Sequence, residues 1–122
     1  MGDFRQLKVW KRAHDLALEI HRSTRSFPAA ERYGLSAQIR RAAVSVISNI
    51  AEGCGRQSDR ELAFFLRVAR GSVRELESQL PLSRDLGYLG RDDWANLDAG
   101  IQDTSKMLNR LIRTVRSGNR PS

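Results

Sequence analysis

Ser48, Asn49 and Glu52 place a hydroxyl, an amide and a carboxylate within one helical turn, and they are the densest polar group in an otherwise apolar stretch. Acid–base or nucleophilic chemistry needs a nucleophile beside a base, or two carboxylates in different environments. Neither accompanies this group. A hydroxyl, an amide and one carboxylate instead suit a polar network that fixes the register of packed helices, with Arg41 as its fourth member. His14 and His21 lie seven residues apart, two turns along one helical face beside Trp10 and Ala17. Zinc held within a helix prefers histidines four apart, and no cysteine or acidic residues complete a ligand set. These histidines are expected to pack or to lie at an interface. Cys54, the single cysteine, sits between two glycines where exposure is allowed, but no neighbour marks it as a nucleophile. Walker, GxSxG and HExxH motifs are absent. The chain is therefore expected to be no enzyme, with no metal, no cofactor and no small-molecule substrate.

The chemistry that remains is that of arginine. Of 21 basic residues 18 are arginine, and the net charge is +7. A guanidinium is a planar fork of donors matched to phosphate and carboxylate, and a sequence pI near 10.7 makes nucleic acid a natural partner. Not every arginine is available. In the first helix Lys8, Lys11, Arg12 and Arg22 alternate with Asp15 and Glu19 at spacings that neutralise one another. Arg40, Arg67 and Arg70 have no acid three or four residues away, and Arg67, Arg70 and Arg74 share one flank of a helix. Arg110, Arg113 and Arg116 recur every three residues near the end of the last one. Arg40, Arg67, Arg70, Arg74, Arg110 and Arg113 are the expected nucleic-acid contacts. Arg41 is expected to pair with Glu52, or with Glu75 from another helix, because a largely buried helix needs its charges satisfied.

Four helices must carry these residues, near 5–26, 36–53, 59–86 and 92–116. Apolar positions recur at spacings of 4 and 3: Val9, Ala13, Leu16, Ile20; then Ile39, Ala43, Val46, Ile50; then Leu62, Leu66, Ala69, Val73, Leu76, Leu80; then Leu97, Ile101, Thr104, Leu108, Leu111, Val115. Asp3 with Gln6 and Ser58 with Glu61 have capping-box spacing, and Ser36 is placed to cap the second helix. Phe27-Pro28 ends the first helix, Gly53-Cys54-Gly55 the second through a left-handed glycine, and Gly87 the third. Pro81 should kink the third helix or shift its last turn. Such spacing with short connections predicts an all-α, up-and-down antiparallel four-helix bundle, one domain over 1–117 with a disordered tail at 118–122.

The second helix is apolar on two faces, since Val44, Ile47 and Ala51 lie beside the core stripe and the polar ridge spans only about 60°. On the third helix Phe64 and Val68 point away from the core, near Gly71, with Ala63 and Ser72 as further small neighbours. Phe64, Val68, Gly71, Val44 and Ile47 are thus expected to form an interface between copies.

The segments Phe4-x-x-Leu7-x-Val9-Trp10, Phe27-Pro28, Tyr33-Gly34-Leu35, QIRRA (38–42) and SNIAEG (48–53) resemble the family of 23S ribosomal RNA intervening-sequence proteins. So do Phe64-Phe65-Leu66, Ala69-Arg70-Gly71-Ser72, Glu75-Leu76-Glu77 and Leu86-Gly87-Tyr88-Leu89, giving a likeness of about 110 residues; Pro81 departs from the pattern. The resemblance implies a bacterial four-helix bundle assembled as a homopentameric ring. Its members are encoded within intervening sequences of large-subunit ribosomal RNA genes. It implies a relation to accessory proteins of diversity-generating retroelements, which carry a basic nucleic-acid-binding surface, and it attaches no catalysis. No apolar run reaches the roughly 20 residues of a membrane span, and no signal-peptide layout opens the chain, so a cytoplasmic protein is expected. Two roles compete. One is a self-assembling protein that binds nucleic acid, RNA above all, through arginines. The alternative is a scaffold or accessory subunit for a nucleic-acid enzyme, without nucleic-acid contact of its own.

Overall fold

The structure, a computed structural model, describes residues 2–118. Four α-helices make the fold: α1 (Lys8–Thr24), α2 (Leu35–Cys54), α3 (Asp59–Asp85) and α4 (Arg91–Arg116), with single 3-10 turns at Phe4–Gln6 and Ala29–Glu31. No strand occurs among the described residues. Links of four and five residues reverse the chain between α2 and α3 and between α3 and α4, so neighbours run antiparallel, and α1 packs on both α2 and α4 to close the bundle. The all-α four-helix bundle expected from the periodicity is what forms. The disordered tail was expected at 118–122; only Gly118 of it lies within the described residues.

The core is the set of spaced apolar residues. Leu16, Ile20, Ile39, Ile50, Leu62, Leu66, Leu76, Leu80, Leu97, Ile101 and Leu108 are all essentially closed to solvent. On α4 the stripe turns slightly from expectation: Ile112 is buried and Leu111 only partly so. Cys54 is buried too, packed against this core instead of lying open between its glycines.

Helix ends depart from the sequence reading where tertiary contacts intervene. Asp3 caps only the 3-10 turn, its carboxylate accepting from the Arg5 N–H at 3.0 Å, and Leu7 is extended, so α1 starts at Lys8 and not near residue 5. Ser36 is not the cap of α2. The helix begins one residue earlier, at Leu35, and the Glu31 carboxylate accepts the Leu35 N–H at 3.2 Å from outside the helix. Gly53 is helical and Gly55 has φ −80°, so neither glycine is left-handed. The reason for Gly53 is space: a Cβ there would stand 3.0 Å from Leu62 Cδ1 and 3.1 Å from Phe65 Cβ, where α2 meets α3.

Two ends follow expectation. Ser58 accepts the Glu61 N–H at 3.1 Å to open α3. Gly87, with φ +81°, closes it: the Gly87 N–H donates to Arg84 O and the Tyr88 N–H to Ser83 O, both at 2.9 Å, satisfying last-turn carbonyls as a left-handed cap does. Helix α3 continues through Pro81 to Asp85. Ser58→Ala is expected to lower the unfolding free energy by about 0.5–2 kcal/mol, read from urea titration at one protein concentration. An unchanged midpoint would show that the cap contributes nothing. No described helix is long and apolar enough to cross a membrane.

Candidate nucleic-acid interface

The six arginines singled out by spacing divide into two groups once the helices pack. Arg40 is not a free surface cation. It is half-buried, its Nε donating to Thr24 Oγ1 at 2.8 Å and Nη2 to His21 O at 3.3 Å, which ties α2 to the end of α1. Arg70 is also engaged: its Nη1 donates to Asn109 Oδ1 at 3.3 Å across the α3–α4 seam. Absence of a nearby acid in sequence did not predict freedom, because a carbonyl, a hydroxyl and an amide from other helices took these guanidiniums. Arg74 reaches Glu77 only at 3.9 Å with its side chain 77% exposed, a pair worth little and easily exchanged for a phosphate. Arg67, Arg110 and Arg113 are exposed and make no ion pair among the described residues.

Packing adds Arg60, which spacing had not put in the site, and brings Arg116 in beside it. Arg60, Arg67 and Arg116 line one shallow cavity of about 250 Å³ at the α3–α4 seam, with Asp59 as the single carboxylate in its wall. The Arg70–Asn109 bond sets the antiparallel register, which puts Arg113 and Arg116 level with Arg67 and Ala63. The seven-residue interval from Arg60 to Arg67, two turns on one flank, is the signal in the sequence that could have found Arg60.

The expected interface between copies resolves into two strips. On α3, Phe64 (54% exposed), Val68, Leu82 and Leu86 lie on the outer face, and Gly71 between them has open space where a Cβ would stand. Ala63 and Ser72 are buried against neighbouring helices, so Gly71 alone remains as a small residue on this face. On α2, Val44 is 45% exposed and Ile47 partly so. They follow Arg40 on the flank turned toward α1, where the exposed Leu18 lies level with Val44 in the register set by the Arg40 bonds. Between the two strips runs the exposed ridge of Arg41, Ser48 and Glu52.

The sequence profile of the 23S rRNA-intervening sequence proteins matches residues 5–110. The chain belongs to that family. The matched range runs from the first 3-10 turn through most of α4 and takes in Arg60, Arg67 and Arg110, while Arg113 and Arg116 follow it. No curated protein matches the chain. Among solved structures, this intervening-sequence protein is similar to a protein of unknown function from the S23 ribosomal protein family of Bacteroides thetaiotaomicron. The TM-score is 0.79 at 23% identity, over 87% of this chain and 96% of the other, a likeness of fold.

In this intervening-sequence protein the polar residues of SNIAEG do not gather into one network. Arg41, Ser48 and Glu52 are exposed, and Glu52 pairs with Arg56 one turn further on. Only Asn49 is drawn inward: its Nδ2 donates to Ser45 O at 2.8 Å and Ser45 Oγ at 3.0 Å, and Ser72 Oγ donates to Ser45 Oγ at 2.7 Å. The link between α2 and α3 is thus Asn49–Ser45–Ser72. The four residues were expected to form one network fixing helix register, but Arg41, Ser48 and Glu52 lie on a ridge that faces outward. His14 stacks on Trp10 at 4.9 Å and His21 Nδ1 lies 2.9 Å from Ala17 O, so both are held by packing. No cluster of three metal-ligating side chains occurs among the described residues. At the opposite end of the bundle from the Arg60 cavity, the Tyr88 hydroxyl donates to Glu31 at 2.9 Å. That bond, then burial, raises its pKa above the ordinary phenol value.

Proposed function

We propose that this protein assembles with copies of itself and binds nucleic acid, RNA first, through Arg67, Arg110, Arg113 and Arg74, joined by Arg60 and Arg116. The single observation that carries the reading is the α3–α4 seam, where Arg60, Arg67 and Arg116 line one cavity whose wall holds a single carboxylate. The family description names ribosomal RNA, which favours RNA over DNA. Contacts of this kind are to phosphate and give affinity without sequence readout. Several copies in a closed ring, five by the resemblance, would present the seam repeatedly to one strand and raise avidity without new contacts. Two distinct apolar strips support a ring, because head-to-tail contacts join different surfaces of successive copies.

Fluorescence anisotropy with a structured RNA at about 50 and 200 mM salt tests the binding, since neutralising phosphates makes affinity fall steeply with salt. Wild-type protein should bind at low salt and weaken sharply at high salt. Arg67→Glu with Arg113→Glu should bind at least about tenfold more weakly, with a shallower salt dependence. No binding at low salt, or equal binding by the double variant, would exclude the seam.

One observation favours the scaffold reading. Leu7, Val9, Met107 and Leu111 line a slot of about 210 Å³ with Lys8 and Arg110 at its edge, suited to an apolar residue flanked by acids. Under that reading a partner protein would stay bound after nuclease treatment.

Gly71 supplies a further check. Within one copy nothing requires glycine there, and glycine inside a helix costs roughly 0.5–1 kcal/mol against alanine. Gly71→Ala should therefore stabilise the isolated chain by about that much, while a bulkier Gly71→Leu should loosen the assembly seen by light scattering. Assembly unchanged by leucine would place no second copy against this face.

A further inference from the structure

A second basic cavity lies at the end of the bundle where α1 gives way to α2. Arg25, Arg32 and Arg40 line one cavity of about 320 Å³ there, together with Thr24 and Ser36, and no carboxylate belongs to its wall. The acid beside it, Glu31, has both carboxylate oxygens engaged, one of them at the start of α2. One of its oxygens accepts the Leu35 N–H at 3.2 Å and the other the Tyr88 hydroxyl at 2.9 Å. Arg25 and Arg32 make no ion pair among the described residues. Arg32 lies 5.7 Å over the ring of Tyr33, which is 87% exposed. Arg40 is positioned by Thr24 Oγ1 and His21 O through Nε and Nη2, leaving Nη1 free.

Ser36 carries the argument further. It is only 7% exposed, stands in the first turn of α2 at the cavity wall, and its hydroxyl makes no hydrogen bond among the described residues. The hydroxyl oxygen is not closed off from solvent, so it is available to a group bound in the cavity. At the α2 N-terminus the Glu31 carboxylate already accepts the Leu35 N–H, and Gly34 at the cap has no side chain to offer the N–H groups that follow. Three guanidiniums around one space repel one another until an anion enters, and the Ser36 hydroxyl at the wall can donate to it. Forked guanidinium donors match the oxygens of a phosphate.

The volume exceeds what a bare phosphate fills and lies at the low end of the roughly 300–1,000 Å³ typical of small-molecule sites. Pro28 and Ala29 provide an apolar wall; outside the cavity, the exposed Tyr33 ring beside Arg32 offers a face on which a base can stack. We propose that this cavity binds the phosphate monoester of a nucleotide, either a free mononucleotide or the 5′-terminal phosphate of a strand. The site lies on α1, α2 and their link, and does not rest on the α3–α4 seam.

Amide NMR spectra of the full chain test it, with inorganic phosphate, 5′-AMP and adenosine as separate probes. AMP should shift Ser36 and Ala37, phosphate should shift them at higher concentration, and adenosine should leave them in place. Arg25→Ala and Arg32→Ala, both at exposed side chains and checked for an unchanged spectrum elsewhere, should each weaken AMP binding about tenfold. Ser36→Ala should weaken it less, and the Arg67→Glu, Arg113→Glu protein should bind AMP as wild type does. A matched pair of oligonucleotides with and without a 5′-phosphate separates the two sources. Preference for the phosphorylated strand assigns the strand end, and equal binding of the pair alongside tight AMP assigns the free nucleotide. Equal shifts by adenosine and AMP, no shift by AMP, or arginine variants that bind AMP normally would each overturn the proposal while leaving the seam untouched.

Discussion

Replacing Leu66 by alanine is expected to lower the unfolding free energy by about 2–5 kcal/mol, a large share of the roughly 5–15 kcal/mol that holds a domain of this kind. Leu66 has no solvent exposure and is the second residue of the core stripe of α3, the helix that packs on both α2 and α4. Truncation leaves a cavity that the flanking leucines and isoleucines cannot fill without moving two helix pairs. The change is best read from urea titrations of wild type and variant at equal protein concentration, because assembly would add its own free energy to the folded state. A loss under about 1 kcal/mol would mean that α3 is not clamped between its neighbours as described.

Charge placed on either apolar strip is expected to abolish assembly. Phe64→Asp puts a carboxylate in the outer strip of α3, and Val44→Asp puts one in the strip between α1 and α2. Both side chains are about half exposed in the single chain, so the fold should survive, which circular dichroism would establish. In a head-to-tail ring each variant keeps one good surface and loses the other. Alone, each should be monomeric by light scattering. Mixed, they should form a one-to-one dimer and go no further, since the intact strip of one meets the intact strip of the other. A dimer formed by either variant alone would point to strips that each face their own copy, variants that stay monomeric when mixed would show that the two strips do not meet, and full-sized assemblies from either variant would remove that strip from the interface.

The legible part of this protein was its periodicity. Leu62, Leu66, Ala69, Val73, Leu76 and Leu80 are buried as their 4, 3 spacing required, and Ser58 opens α3 as its capping box required. Both follow from helical geometry, in which residues three and four apart share a face and the first N–H groups need an acceptor. The outward position of Phe64 and Val68 was equally readable, as the residue of the same arithmetic. The candidate site was less legible. Arg40 and Arg70 looked free by their distance from acids along the chain, yet Thr24, His21 and Asn109 hold them from across helix–helix seams. Gly53 looked like a helix stop and is a point of close approach to Leu62 and Phe65.

Sequence alone therefore determined four amphipathic helices, their order, their core, an excess of arginine and an apolar surface left over after the core is made. These are properties of single helices, set by interactions within a few residues. Tertiary structure decided which arginines remain available, that Ser45 and Ser72, with Asn49 bonded to Ser45, link α2 to α3 in place of Arg41, Ser48 or Glu52, and that Arg25, Arg32 and Arg40 meet around one cavity. A hydrogen bond between side chains depends on the rotation and register of two helices at once. No spacing along one chain segment specifies that pair of quantities; the packing of the whole bundle does.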